Sequence, residues 1–294
     1  MKIGLIGLAK SGKTTLFNLL TGSSIATARY DSGRAELHTG MARVPDPRVD
    51  RLAALFKPRK TTYATFEVVD LAGIAKGERA GLDTKEFRNA DALLHVVRAF
   101  ADEALGAPAP KRDIEDLETE LILADLEVIE RRLERLEASI KKQRKDAEVR
   151  EQAILARLKT DLEGETPLRA VALTPDEARV TRGFTFLSQK PILHCLNLDE
   201  KAIGEGARGV ERFGLEAIAA GAWTRIGWVS AVIEAEVAQL AGDEQRAFLA
   251  ELGLKEPAIH RVLSDCYALL GAPGLRTRRA PSTRTSAEAS FAPR

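Results

Sequence analysis

The stretch Gly7-Leu8-Ala9-Lys10-Ser11-Gly12-Lys13-Thr14 lies between a short apolar run, Ile3 to Ile6, and a segment with helical spacing, Lys13 to Leu20. It matches the pattern G-x-x-x-x-G-K-[ST] at a strand-to-helix junction, where that pattern forms a phosphate-binding loop, or P-loop. The glycines let successive backbone N–H groups point inward around an anion, and the helix N-terminus adds its positive dipole end. The predicted nucleotide-binding residues of this loop are Leu8, Ala9, Lys10, Ser11, Gly12, Lys13, Thr14 and Thr15.

The expected phosphate and metal chemistry rests on this loop and on the end of a second strand. Lys13 is expected to supply a mobile cation to the β- and γ-phosphates, and the Thr14 hydroxyl to ligate Mg²⁺. Asp70 follows an apolar run, which places its carboxylate to hold the Mg²⁺ water shell, while Gly73 offers a backbone N–H to the γ-phosphate. Lys13 and Gly73 are therefore the candidate catalytic residues, and Thr14 and Asp70 are the candidate metal ligands.

A base-reading loop is expected after the apolar run 191–197. Asn197-Leu198-Asp199-Glu200 stands there, where G domains usually carry N-K-x-D, whose Asp accepts both guanine N–H donors and whose Lys packs over the base. Leu198 replaces the Lys and Glu200, longer by one methylene, replaces the Asp, so guanine-specific pairing should be lost or weakened. Ser230-Ala231 resembles the final base-contacting loop, although a plain strand-to-helix turn also explains it. The predicted base-contacting residues are Asn197, Leu198, Glu200, Ser230 and Ala231.

Composition excludes several classes of protein. The 294 residues carry 44 basic and 43 acidic side chains, so a global electrostatic attraction to nucleic acid is absent. Cys195 and Cys266 are too few for a disulfide framework and are predicted to be small buried hydrophobes in a reducing compartment. Because no apolar run approaches the length of a membrane span or a signal peptide, the chain is expected to be soluble, cytoplasmic and without a membrane partner.

Strand-like and helical segments alternate along most of the chain, which favours an α/β fold with a mostly parallel sheet covered by helices on both faces. A short strand near Met41 to Val44 is expected inside an otherwise irregular stretch. The other predicted strands cover 64–70, 92–100, 191–197 and 225–230. The predicted divisions are a first part of the G domain at 1–110, a helical insertion at 111–164, a second part of the G domain at 165–271 and a disordered tail at 272–294.

A charged segment breaks that alternation between the linker Ala107-Pro108-Ala109-Pro110 and Gly164. Its apolar residues fall at alternating steps of four and three, which predicts a coiled-coil seam. A second apolar run can return antiparallel after the basic stretch Lys141 to Lys145, forming a projecting α-helical hairpin. An ordinary solvated helix pair packed on the domain is the alternative. The seam residues are Ile122, Leu126, Ile129, Leu133, Leu136 and Ile140, with Ile154, Leu158 and Leu162 on the second helix.

Together these motifs resemble the YchF/Obg-like ATPase family of the TRAFAC P-loop GTPases. The resemblance covers residues 1–271 and implies a G domain with a coiled-coil insertion and a C-terminal TGS domain. It also implies that the chain hydrolyses ATP in preference to GTP and associates with the ribosome. Mg²⁺ is the cofactor expected from the P-loop residues, and the chain is expected to be a monomer. The segments that carry it are 7–14, 44–48, 69–73, 95–98, 118–127, 197–200 and 248–254.

The chain also departs from the family pattern. Residues 271–294 stand in place of the TGS domain, which either a natural truncation or a shifted reading frame explains. The family's switch I threonine aligns nearest to Arg34, with Thr39 as the nearby hydroxyl candidate. Lys10 stands where relatives have an asparagine linked to monovalent-cation use, and we expect its ammonium to occupy that cation's place beside the phosphates.

Two functions remain open from the sequence. The first is slow Mg²⁺-dependent hydrolysis of ATP, with GTP as a poorer substrate. The second is a nucleotide-dependent switch with little turnover, which Ile74 favours because many GTPases have a water-positioning glutamine at that place. His95 and His194 lie in apolar strands without carboxylate or cysteine neighbours at ligand spacing, so both are predicted to be core residues.

Overall fold

A computed structural model describes residues 1–25, 37–71, 85–103 and 105–270 of the chain. Within them lies a six-stranded sheet with the order β2-β3-β1-β4-β5-β6. Only β2 runs antiparallel, against β3, and the other neighbouring pairs are parallel. The strands are β1 (Lys2–Ile6), β2 (Leu37–Arg43), β3 (Thr65–Leu71), β4 (Ala92–Ala99), β5 (Ile192–Leu198) and β6 (Thr224–Val229).

This arrangement confirms the predicted α/β fold with a mostly parallel sheet. The largest difference from expectation is β2, which begins at Leu37 and forms a full edge strand rather than a short one near Met41. An antiparallel edge strand can face solvent on one side, which leaves its pattern less uniformly apolar than that of a central strand. In contrast, every residue of β5 is buried.

Helices cover both faces of the sheet. Among the described residues, no helix is both long enough and apolar enough to cross a bilayer. The helices are α1 (Lys13–Thr21), α2 (Pro47–Phe56), α3 (Lys85–Arg88), α4 (Pro110–Lys142), α5 (Asp146–Glu163), α6 (Pro175–Thr181), α7 (Gly209–Arg212), α8 (Glu216–Ala219), α9 (Ala231–Val237), α10 (Gly242–Glu251) and α11 (Ala258–Leu270).

The two faces of the sheet build separate cores. On one face, α1 and α11 pack on alternate residues of the central strands, among them Leu5, Leu94 and Cys195. On the other face, the first half of α4 covers Ile6 and Leu93. This division follows from the two-residue side-chain period of a strand, because a strand covered on both sides needs apolar residues at successive positions.

The charged insertion is a helical hairpin, as the heptad pattern predicts. Helix α4 has 33 residues, which makes it about 50 Å long at 1.5 Å per residue. Helix α5 returns along its second half after the turn at 143–145. The predicted seam residues lie in one apolar cluster with residues of 168–186, so the hairpin also packs on the domain along one side. Ion pairs Arg150–Asp176 and Arg157–Glu177 join that side of α5 to α6.

The root of the hairpin is fixed by a buried carboxylate. Asp125 of α4 is fully buried and accepts hydrogen bonds from the backbone N–H groups of Leu187 (2.9 Å) and Ser188 (2.7 Å). Arg88 of α3 forms an ion pair with the same carboxylate at 3.3 Å. Burial raises the pKa of Asp125, and these hydrogen bonds and the arginine act in the opposite direction. Helix α3, which follows residues 72–84, is thereby attached to α4.

Candidate nucleotide site

The loop between β1 and α1 has the backbone of a phosphate cradle. Gly12, the N-cap of α1, has φ 95°, and Lys10 also adopts a positive φ, 61°. A Cβ atom on Gly12 would lie 2.3 Å from the Asn197 amide nitrogen, and one on Gly7 would lie 2.5 Å from the Val96 carbonyl oxygen. Only glycine fits these two positions, because the backbone turns sharply against neighbouring groups.

Lys13 lies across this cradle. Its ammonium donates hydrogen bonds to the carbonyl oxygens of Gly7 at 2.7 Å and Leu8 at 2.9 Å, and its side chain is buried. Burial lowers the pKa of Lys13, while the negative charge of Asp70 raises it. The lysine is thus held at the loop by acceptors that a phosphate oxygen can replace without moving the backbone.

Asp70, near the end of β3, is a buried acceptor with no donor among the residues that the structure describes. Its carboxylate is 0% exposed, and neither oxygen has a hydrogen-bond partner within residues 1–25, 37–71, 85–103 and 105–270. Burial raises its pKa, and the electrostatic interactions of Asp70 with Lys13 and His38 lower it. A buried carboxylate without donors is costly unless a cation or an ordered water shell completes it. Because Mg²⁺ prefers such oxygen ligands, Asp70, together with the partly exposed Thr14 of α1, fits the expected metal site.

The pairing of β2 with β3 brings a residue to this site that the sequence pattern did not indicate. His38 lies directly opposite Asp70 in the antiparallel register, and its ring is 6.2 Å from that of Phe17 on α1. Thr39, the hydroxyl expected nearest to the switch I position, is exposed and on the other face of β2 from His38. Thr39 therefore does not lie at the metal site.

Asn197 joins the two predicted nucleotide loops through its side chain. Its amide nitrogen donates to the Ser11 carbonyl at 3.0 Å, and its amide oxygen accepts from the Ala231 N–H at 3.0 Å. Both groups of the amide are used within the protein, so the side chain positions the P-loop against the 230–231 loop. One N–H of the amide and one lone pair of its oxygen are not used by these two bonds.

The remaining base-loop residues differ in where their side chains lie. Leu198, the last residue of β5, is 4% exposed, and its side chain packs in the core. Its side chain is therefore not available to a base, contrary to the prediction that Leu198 contacts the nucleotide. Glu200 is exposed at the start of a 3₁₀ segment, Glu200–Arg208. Ser230 is fully buried, and its hydroxyl has no hydrogen-bond partner among the described residues, as for the hydroxyl of Ser11 in the P-loop.

Comparisons with known proteins agree with this geometry. The family described as 50S ribosome-binding GTPase matches residues 2–145. The protein named ribosome-binding ATPase YchF of Bacillus subtilis is 37% identical over 91% of this chain and 75% of its own length. That of Haemophilus ducreyi is 38% identical over 92% of this chain and 76% of its own. The chain belongs to the YchF family.

The fold of the YchF family also matches. The YchF GTPase structure from Schizosaccharomyces pombe superposes with a TM-score of 0.75 at 23% identity, covering 92% of this chain and 75% of that one. Family membership and the cradle geometry make the chain a P-loop nucleotide-binding protein. Gly73, Ile74, Arg34 and the tail 272–294 lie outside the described residues.

A buried polar chain connects the sheet to the helical insertion, because one of its members comes from α4. The Nδ1 atoms of His95 on β4 and His194 on β5 are 3.0 Å apart, and His194 Nε2 lies 3.5 Å from Glu118 Oε1 of α4. Glu118 Oε2 pairs with Arg169 at 2.5 Å. The prediction that both histidines are core residues is confirmed by their burial. The spacing along the two strands does not reveal Glu118, which approaches His194 from another element.

This polar chain had a signal in the sequence. His95 and His194 each lie three residues after the first residue of a predicted parallel strand, 92–100 and 191–197, and the register pairs them directly. Assuming that these strands are neighbours with matching starts would have placed the two rings together. Glu118 could not be found in this way, because its position depends on how α4 lies across the sheet.

Proposed function

We propose that this YchF-family chain hydrolyses ATP, and GTP less well, with Mg²⁺ as cofactor. The observation that carries the proposal is the buried Asp70 carboxylate, to which no described residue donates a hydrogen bond, beside the Lys13 ammonium of the cradle. Thr14 and Asp70 would hold Mg²⁺, which supplies positive charge to the phosphate oxygens. The backbone N–H groups from Leu8 to Lys13 would bind the phosphates, and Lys13 would neutralise charge that develops on the transferred group.

The proposed preference for ATP rests on Glu200. Its carboxylate occupies the sequence position at which an Asp accepts the guanine N–H groups in other G domains. The extra methylene of Glu200 shifts the two accepting oxygens away from that position. Changing Glu200→Asp is expected to raise the affinity for GTP relative to ATP. Titration of the purified protein with labelled ATP and GTP, each with and without Mg²⁺, measures both the preference and the metal requirement.

Glu211→Asp is the matched control, because Glu211 is also exposed but lies on α7. Its nucleotide preference should equal that of the wild type. A wild-type protein that binds GTP ten times more tightly than ATP contradicts the proposed preference, and tight binding that is insensitive to Mg²⁺ contradicts the proposed cofactor.

Lys10 carries a second expectation about hydrolysis. It is exposed in the cradle with a positive φ, where its ammonium can stand beside the phosphates in place of a monovalent cation. Hydrolysis by the wild type should therefore be equal in potassium and sodium salts at matched ionic strength. A sharp rise in turnover when K⁺ replaces Na⁺ would show that the site still takes a potassium ion. Lys10→Asn tests the same point, since it should introduce a response to K⁺.

Association with the ribosome is the proposed cellular setting. The curated relatives are named ribosome-binding ATPases, and their similarity extends through the hairpin. We place the protein in the cytoplasm as a monomer on the same grounds.

A nucleotide-dependent switch with little intrinsic turnover is the second candidate. The attachment of α3 to α4 through Arg88 and Asp125 favours it, because α3 follows the segment after Asp70 and α4 continues into the hairpin. Single-turnover hydrolysis with and without ribosomes separates the two functions. An enzyme turns over in both conditions, whereas a switch hydrolyses appreciably only with its partner.

A further inference from the structure

Helix α2 (Pro47–Phe56) is unusual because none of its residues is buried. Leu52, Leu55 and Phe56 are 55%, 74% and 72% exposed. Their spacing of three and four residues places them on one face of the helix. We call these three side chains the α2 patch. Single exposed hydrophobic residues are common on proteins, but a contiguous apolar helix face of this kind usually marks an interaction site.

Polar contacts, rather than apolar burial, hold α2 in place. Asp46 caps the helix by accepting from the Arg48 N–H at 2.9 Å, and Pro47 occupies the first turn. On the side toward the domain, Asp50 accepts a hydrogen bond from the Tyr63 hydroxyl, and the Arg43 guanidinium lies 3.4 Å from the centre of the Tyr63 ring. Among the described residues, the apolar face is therefore not needed to hold this segment in place, and it remains exposed.

The surroundings of the α2 patch are positively charged, although the chain as a whole is close to neutral. Two acidic residues of this segment, Asp46 and Asp50, are engaged by Arg48 and Tyr63. The partner must therefore offer negative charge around an apolar groove. The exposed basic residues of the segment, apart from Arg48, which pairs with Asp46, are Arg51, Lys57, Arg59 and Lys60.

These two properties together select a class of partner. An RNA surface offers phosphates to the basic residues but no apolar groove for two leucines. A lipid surface accepts leucines, yet three side chains give less apolar area than a single acyl chain, which itself anchors a protein only marginally. An amphipathic helix in the groove of another protein buries the apolar residues and pairs the basic ones.

We propose that the α2 patch docks into an apolar groove with an acidic rim on a protein of the ribosome. This inference rests on the proposed ribosome association, and it makes α2 a contact separate from the nucleotide site. The basic residues speed the encounter and set its salt dependence, while Leu55 and Phe56, the two most exposed side chains, supply the anchors.

Photocrosslinking tests the class of partner. A benzophenone amino acid replaces Phe56 in the full chain, which is then irradiated with purified ribosomes. The expected product is a ribonuclease-resistant, protease-sensitive adduct with one acidic ribosomal protein. The same residue placed at Trp223, an aromatic side chain 49% exposed at the start of β6, is the control and should give no such adduct.

Cosedimentation with ribosomes tests the energetics. Leu55→Ser/Phe56→Ser should weaken binding at least tenfold, whereas Trp223→Ser should not. Because Leu55 and Phe56 are not buried in the folded chain, the double variant should keep its melting temperature and its ATP affinity.

Four results would overturn the inference and leave the proposed nucleotide chemistry intact. Two concern the crosslink: an adduct with RNA, or an adduct with a basic protein. The other two concern Leu55→Ser/Phe56→Ser: sedimentation with ribosomes equal to that of the wild type, or loss of a binding to phosphatidylserine vesicles that the wild type shows. Failure of the wild type to sediment overturns the inference and the proposed ribosome association together, while the nucleotide titrations still decide the proposed enzyme activity.

Discussion

Lys13→Ala is expected to weaken ATP binding at least a hundredfold, about 3 kcal/mol at 1.4 kcal/mol per factor of ten. The wild-type ammonium lies 2.7 Å and 2.9 Å from two carbonyl oxygens of the cradle, so it can transfer to phosphate oxygens by a local side-chain movement. A charge-assisted hydrogen bond contributes about 1.5–3 kcal/mol, and a triphosphate accepts more than one from a lysine. Isothermal titration with ATP and Mg²⁺ measures the loss.

The controls for this variant separate binding from folding. Lys111→Ala removes an exposed lysine from the first turn of α4 and should leave ATP affinity unchanged. Lys13→Arg keeps the charge but puts a larger planar group into a buried position, so it should rescue little of the affinity. If Lys13→Ala folds normally and retains ATP as tightly as the wild type, the cradle is not the triphosphate site and the proposed activity fails.

The parts of this site that the sequence predicted are those whose positions depend on residues close together in the chain. The P-loop glycines, Lys13 and Asp70 lie within one strand–helix unit and at one strand end, where spacing alone fixes their relation. The hairpin seam was predictable for the same reason, since a heptad pattern records the contact between two adjacent helices.

Side-chain direction and non-local packing account for what was missed. The sequence pattern placed Leu198 in the base loop, but the two-residue period of β5 turns it into the core. His38 meets Asp70 only through the antiparallel pairing of β2 with β3, and β2 lacks the apolar signal of a buried strand. Glu118 reaches His194 only because α4 crosses the sheet at that point.

With Glu118 ionised, one arrangement of protons fits the polar chain under α4. With both histidines neutral, His194 donates from Nε2 toward Glu118, which leaves its Nδ1 as the acceptor for the Nδ1–H of His95. Arg169, whose side chain is 5% exposed, then balances the carboxylate, and it also donates to Thr224 Oγ1 at 3.2 Å. This arrangement requires Glu118 to be ionised.

Glu118→Gln is expected to lower the free energy of unfolding by about 3 kcal/mol, because removing one member of a buried ion pair leaves the other charge uncompensated. The residual charge is that of Arg169, which the amide cannot neutralise. Urea denaturation at pH 7.5 measures the loss. Glu115→Gln, an exposed position one turn earlier on α4, is the matched control and should change stability by less than about 0.5 kcal/mol.

The pH dependence of the free energy of unfolding is a second, independent comparison of the wild type with Glu118→Gln. Burial lowers the pKa of both histidines below the ordinary value of 6.5, so the unfolded chain binds protons that the folded chain excludes. Stability should therefore fall below about pH 6.5 in the wild type and in Glu118→Gln alike. Burial tends to raise the pKa of Glu118, but the His194 and Arg169 contacts outweigh it and lower the pKa below 4.5. The difference in the free energy of unfolding between the wild type and Glu118→Gln should therefore disappear only below pH 4.5.

Replacing Glu118 and Arg169 together tests whether the unpaired charge of Arg169 causes the lower stability of Glu118→Gln. Glu118→Met/Arg169→Met removes both charges and keeps similar volume, and such replacements are often neutral or stabilising by about 1–4 kcal/mol. The double variant should therefore recover most of the stability that Glu118→Gln loses. A double variant as unstable as the single one would mean that the hydrogen bonds to Thr224 and Ser188, rather than the ion pair, hold the root of the hairpin on the sheet.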